Sequence, residues 1–133
     1  MSINFGNKEE YVDPSSLFVS ETNDKGIITY ANKTFLNIAG YSKEELIGKS
    51  HNIIRHPFMP KFVFEDLWKT IKSGKTWDNV IINKTKTGGY YWVKVNVFKS
   101  QNPDGSVKYI SVRIKPSKEE IETAINTYSK LQG

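Results

Sequence analysis

Two histidines and an arginine crowd one short stretch of the chain, S-H-N-I-I-R-H-P at residues 50–57. Arg55 offers a planar guanidinium that stays charged, suited to a pyrophosphate or to the carbonyl edge of a ring. His56, held against Pro57, can donate to a bound group or make a structural hydrogen bond, and His51 has the same two readings. A metal site is not expected. The two imidazoles are five residues apart, not at the four-residue step that puts two ligands on one helix face, and neither cysteine nor an acidic cluster accompanies them. No nucleophile stands beside a recognisable base and no glycine loop is shaped for phosphate, so an enzyme is not expected either.

Four further residues carry chemistry of their own. Asn83 interrupts the apolar run V-I-I with an amide that both donates and accepts. It is either a ligand contact or an outward-facing strand residue. Asn32 precedes a helical pattern and reads as a helix cap or as a polar group in a pocket. Trp77 opens a strand directly after a turn, where its own reading is a core residue. Trp68 lies four residues beyond Phe64 on a helical stripe, first a core residue and second a pocket wall.

The elements that must position these residues follow from periodicity. Leu17–Thr22 and Ile27–Tyr30 are short strands flanking the turn Asn23-Asp24-Lys25-Gly26. A helix capped by Asn32 runs to Ala39 and stops at Gly40. S-K-E-E from Ser42 is a capping-box pattern, and Gly48 ends that piece. A short piece from His51 to His56 is stopped by Pro57, and Pro60 opens a longer helix to about Lys72. So many breaks between residues 40 and 60 point to a wall around something rather than to one packing helix. Strands follow at Thr76–Lys86, Tyr90–Lys99 and Val107–Lys115, separated by Gly88-Gly89 and by Asn102-Pro103-Asp104-Gly105. After Pro116, a second capping box at Ser117 starts a helix with Ile121, Ala124, Ile125, Tyr128 and Leu131 on one stripe. That stripe either packs back on the domain or pairs with a partner. The order describes an α+β domain with one antiparallel sheet and its helices on one face.

Composition bounds the rest. The 133 residues suffice for one core, and aromatic residues make up 13%. The absence of cysteine excludes disulfides, iron–sulfur ligation and thiolate zinc sites. No run approaches the ~18 apolar residues of a membrane helix, and the N-terminus lacks a signal-peptide pattern. A cytoplasmic location is expected. The net charge of +5 gathers in the C-terminal half. It reads first as a solvated sheet face guarded by lysines, and otherwise as a face for an anionic membrane surface, cofactor phosphates or nucleic acid, though no nucleic-acid-binding motif accompanies it.

The strings A-N-K-T-F-L-N-I-A-G-Y-S-K-E-E-L-I-G-K and H-N-I-I-R-H-P-F-M-P together resemble a PAS domain of the kind found in flavin-binding bacterial aerotaxis receptors. K-T-W-D-N-V-I-I-N-K-T-K and Y-W-V-K-V-N-V extend the resemblance, which covers roughly residues 17–133. It implies a PAS fold: a five-stranded antiparallel sheet, a helical crossover on one face and a C-terminal signalling helix. Residues 1–16, which show no clear period and a turn signal at Asp13-Pro14-Ser15-Ser16, read as a mobile N-terminal cap; the rest divides into a sensor domain (17–116) and a signalling helix (117–133). The resemblance implies FAD held non-covalently, a homodimer, and an output module in a larger membrane-anchored, chemotaxis-type receptor. The cofactor would be held by Asn32, His51, Arg55, His56, Phe58, Trp68, Trp77 and Asn83. Trp77 would lie along the flavin ring, and Asn83 beside flavin N5 would convert redox state into a change of sheet bonding. The alternative within the same fold is haem, another small ligand, or a ligand-free dimerisation module. Two positions depart from the family's pattern. Phe58 stands where the family usually has Asp, replacing a charge-assisted acceptor with a ring that stacks or packs. Gly89 stands where an acidic turn residue is common.

Overall fold

The strand-forming runs assemble into one five-stranded antiparallel sheet in a computed structural model that describes residues 3–132. The strands are β1 (Phe18–Asn23), β2 (Ile28–Ala31), β3 (Trp77–Lys84), β4 (Tyr90–Gln101) and β5 (Val107–Ile114). Their spatial order is β2-β1-β5-β4-β3, so β1 and β5, far apart in sequence, pair at the centre. Tight turns join β3 to β4 and β4 to β5. The crossover from β2 to β3 holds α1 (Lys33–Ala39), α2 (Lys43–Leu46), a 3₁₀ turn (His51–Ile54) and α3 (Lys61–Lys72).

Local chemistry explains why the crossover breaks where it does. The Asn32 side chain accepts from the Phe35 amide and starts α1, and Gly40 ends it in the left-handed region at φ 82°. Ser42 and Glu45 form the reciprocal capping box of α2. Glu45 also pairs with Lys86, tying α2 to the β3–β4 hairpin. Phe35, Leu46, Ile54 and Ile71 are buried from these short pieces, each contributing about 1.5–3 kcal/mol against leaving it exposed.

Both sheet edges are covered, which removes the unpaired ladder groups that invite association. Along β2, the Ile28 carbonyl accepts from Gly48 and the Ile28 amide donates to Lys49. Along β3, Arg55 bridges Asn83 through the backbone. Further along that edge lies the C-terminal helix, α4 (Lys118–Gln132). Of the two placements open to its apolar stripe, the structure has it packed back on its own domain, with Ala124 and Tyr128 buried. The Tyr128 hydroxyl lies 2.6 Å from the Val80 carbonyl and 3.0 Å from Asn79 Oδ1, and Lys94 pairs with Glu120 at 2.9 Å. Tyr128→Phe is expected to lower stability by about 1 kcal/mol, the net value of one such bond. The loss should appear as faster amide exchange confined to residues 118–132; equal exchange in variant and parent would refute the anchoring role.

The N-terminal segment, expected to be mobile, is docked on the domain. Asn7 donates to the Gly88 carbonyl, Glu10 to the Tyr90 carbonyl, and the Tyr90 amide returns to Lys8. Its Phe5 ring meets Phe58, Tyr90 and Trp92 at centroid distances of 5.0–5.7 Å.

Candidate functional site

A cavity of about 300 Å³ lies between the inner face of the sheet and the wall made by the 3₁₀ turn and α3. The broken crossover is that wall: Ser50, His51, Ile54 and Arg55 face the cavity from one side, and Phe64, Leu67, Trp68 and Ile71 from α3. Trp77, Ile81 and Asn83 of β3, Val95 and Val97 of β4, and Tyr109, Ser111 and Arg113 of β5 supply the floor. At the mouth, Gly26 is in the left-handed region and a Cβ there would sit 3.0 Å from the Trp68 ring, so the β1–β2 turn and Trp68 approach closely.

The most unusual group in the site is Arg113, which is 1% exposed. Its Nη2 donates to Ser20 Oγ at 3.0 Å and to His51 Nε2 at 2.9 Å, and its plane lies 4.5 Å from the centroid of Phe35. Among the described residues no carboxylate is within ion-pair distance of it. Burial lowers its pKa to about 10, which leaves it charged at neutral pH. Its Nε has no hydrogen-bond partner, while the Asn83 amide and the hydroxyl of Tyr91, directly opposite on the next strand, face one another and have no other partner. A buried cation and unpaired donors are costly unless something completes them. The arrangement is therefore that of a site for a ligand rich in hydrogen-bond acceptors.

His51 acts as an acceptor here. Burial, reinforced by the Arg113 charge, holds its pKa down to about 3, so it stays neutral and takes the guanidinium's proton donation on Nε2. Arg55 lies 3.9 Å over the Phe64 ring, a cation–π contact that fixes its side chain at the cavity wall. Trp68 packs edge-on against Tyr109, and Trp77 is buried with its Nε1 donating to Asp66 at 3.0 Å. Asn83 is 2% exposed, so its side chain faces inward and not to solvent.

The structure thus brings His51, Arg55, Trp68, Trp77 and Asn83 together and leaves three expected residues elsewhere. Asn32 is fully used as a cap: its Oδ1 accepts from Phe35 and Val19, and its Nδ2 donates to the Leu17 carbonyl. His56 points away from the cavity, donating from Nε2 to the Phe5 carbonyl and accepting the Phe58 amide on Nδ1 at 2.9 Å. That pairing fixes the neutral tautomer, and burial lowers its pKa. Phe58 stacks edge-on with Phe5, Trp92 and Tyr128, outside the cavity lining. One turn of backbone separates the two directions: Arg55 faces the cavity, and the next residues face the N-terminal segment.

Arg113 and Tyr91 escaped the sequence reading. The signal was present in Tyr109-Ser111-Arg113, a polar set at alternate positions of a strand whose other face is Ile110-Val112-Ile114. A second groove, of about 440 Å³, runs between α3, β3 and α4. Its lining includes none of Asn83, Tyr91 and Arg113.

Comparison with known proteins agrees with this fold. A family model described as the PAS fold matches residues 28–114. The chain is 38% identical over 115 residues to the aerotaxis receptor of Escherichia coli (strain K12), covering 86% of the chain and 23% of the receptor. It is 28% identical over 98 residues to the nitrogen fixation regulatory protein of Klebsiella pneumoniae, covering 74% of the chain and 20% of that protein. The chain therefore spans about a quarter or less of the length of these relatives. The dark structure of the blue-light photoreceptor Aureochrome1 LOV superposes with a TM-score of 0.70 at 21% identity, over 84% of each chain. No helix among the described residues is long and apolar enough to cross a membrane.

Proposed function

Since this chain belongs to the PAS family, we propose that it is a redox sensor that binds a flavin non-covalently in the cavity behind the 3₁₀ turn. The observation that carries the reading is the buried Arg113 guanidinium without a carboxylate, lining the same cavity as the Asn83 amide. The carbonyl oxygens and unprotonated ring nitrogens of an oxidised isoalloxazine are acceptors, which suits the guanidinium, and its ring N–H is a donor that an amide such as Asn83 can also meet. A volume of about 300 Å³ is at the small end for ligand cavities, adequate for a fused aromatic ring. Trp68, Trp77 and Ile81 supply flat apolar walls, and Lys25, Lys72 and Arg55 supply positive charge for a phosphate-bearing tail. The aerotaxis resemblance favours FAD over FMN.

When bound, the flavin supplies reversible electron transfer and a ring nitrogen that accepts a hydrogen bond when oxidised and donates one when reduced. Asn83 can answer either state, because its side chain has both a carbonyl and an amino group. It lies on β3, three residues from Val80, whose carbonyl anchors α4 through Tyr128. A turn of the Asn83 amide would thus be felt on the strand that holds the C-terminal helix. The sequence holds no cysteine, so a thioether between this chain and a flavin is not available, and a redox signal is favoured over a photochemical one of that type. Haem is less well served, since His56 lies outside the cavity and His51 turns Nε2 to Arg113. The output we assign is a membrane-anchored chemotaxis-type receptor, with the sensor cytoplasmic and working as a homodimer. No substrate conversion is proposed.

The purified protein, or the protein incubated with FAD, is expected to be yellow, to bleach on chemical reduction, and to release intact FAD on denaturation. A protein that remains colourless after incubation with FAD and with FMN would overturn the flavin reading.

A further inference from the structure

We propose that residues 5–10 form a clasp that positions the ligand-facing loop, with Phe5 as the positioning residue acting through His56 and Phe58 on Arg55. This inference rests on the cavity being the flavin site. Three kinds of contact converge on the clasp. The first is polar: the Phe5 carbonyl takes the proton of His56 Nε2, while His56 Nδ1 takes the Phe58 amide. The imidazole therefore fixes the loop and the clasp with one tautomer. The second is aromatic: the Phe5 ring stands edge-on to Phe58 at 5.0 Å and to Trp92 at 5.7 Å. Such pairs favour one relative orientation and not merely contact. The third is backbone: Asn7, Lys8 and Glu10 bond to Gly88 and Tyr90 at the β3–β4 turn.

Glycine makes the third contact feasible. A Cβ at Gly89 would lie 2.9 Å from the Lys8 carbonyl and 3.0 Å from Thr85 Oγ1. The two positions where the chain departs from the resembled pattern, Phe58 and Gly89, thus both touch the N-terminal segment. Neither touches the cavity. Their side-chain types answer to the clasp and not to the ligand.

The loop so held is the one that carries Arg55. Met59 donates to the His56 carbonyl and Arg55 to the Asn52 carbonyl, and the Arg55 backbone bridges Asn83. Positioning His56 and Phe58 from outside therefore sets the position of Arg55 and of the Asn83 segment on the inside.

The test uses the full chain with Phe5→Ala, Gly89→Ala and Phe5→Tyr. Amide exchange at Arg55, Phe58 and Met59 reads the loop, and the rate of FAD release reads its consequence. Phe5→Ala is expected to speed both by about 10-fold, the equivalent of one aromatic pair, and Gly89→Ala to speed both as well, by displacing the Lys8 carbonyl. Phe5→Tyr, which keeps the ring, should restore the parent values. Release of the Asn7 and Glu10 amides with unchanged loop exchange and unchanged FAD release would overturn the proposal. If no variant or parent binds FAD, the flavin reading fails separately, and loop exchange alone decides the clasp.

Discussion

Arg113→Met is expected to weaken FAD binding by about 10- to 100-fold while leaving the stability of the ligand-free protein within about 1 kcal/mol of the parent. The two halves of this result have different causes. A hydrogen bond from a charged donor contributes about 1.5–3 kcal/mol when its acceptor is present, and that loss converts to the stated range of affinity. In the ligand-free protein, the guanidinium is buried without a counter-charge, and burial lowers its pKa. Replacing such a group by an apolar side chain of similar length removes a desolvation cost. The bonds to Ser20 and His51 and the contact with Phe35 are lost in return, so the terms nearly cancel. Fluorescence titration with FAD and thermal unfolding without it measure the two quantities. A variant that unfolds many degrees earlier yet binds FAD as tightly as the parent would show that Arg113 is a structural arginine and not a ligand group.

Phe58→Asp is expected to destabilise the protein by about 2–3 kcal/mol and to confer no gain in flavin affinity. The residue it would introduce matches the resembled pattern, so sequence alone points the opposite way. The Phe58 ring is packed against Phe5, Trp92 and Tyr128. Deleting a core ring costs about 3–5 kcal/mol, less where the ring is partly exposed as here. Placing a carboxylate among rings adds the cost of desolvating a charge. For a domain of this size the midpoint should fall by roughly 6–12 °C. Because Phe58 touches both the N-terminal segment and α4, amide exchange should rise in both. A stable variant that binds flavin more tightly would return Phe58 to the ligand site.

Much of the fold was legible because its signals are local. Asn32, Ser42 and Ser117 sit ahead of helices as capping residues, Gly40 closes α1, and the turns between β3, β4 and β5 carry their own glycines. Strand limits shifted by a residue or two, since pairing partners and not composition decide where a ladder stops. The candidate site was legible in part. Arg55, Trp77 and Asn83 stood out by residue type, and the structure brings all three to one cavity. Asn32 had two readings, and the cap used every polar atom it has. His56 had two readings and takes the structural hydrogen bond, and Phe58, which the resemblance placed at the ligand, packs among rings. The turn at Pro57 and Phe58 carries the chain away from the cavity, so these neighbours of Arg55 face the N-terminal segment.

The broken crossover and the places of the strands along the chain were determined by the sequence itself, through capping, glycine and proline chemistry that acts within a few residues. Which side of the sheet became the inside was decided only by the tertiary structure. In β5 the alternation separates Tyr109, Ser111 and Arg113 from Ile110, Val112 and Ile114, and hydrophobicity alone would bury the second set. The structure turns the first set to the cavity, with Arg113 1% exposed, and leaves Ile114 40% exposed on the other face. Period-two alternation assigns side chains to two faces without naming the buried one. Here the helical wall spans the face built around a cavity, and that enclosure, not the polarity of the strand, put an arginine in the core.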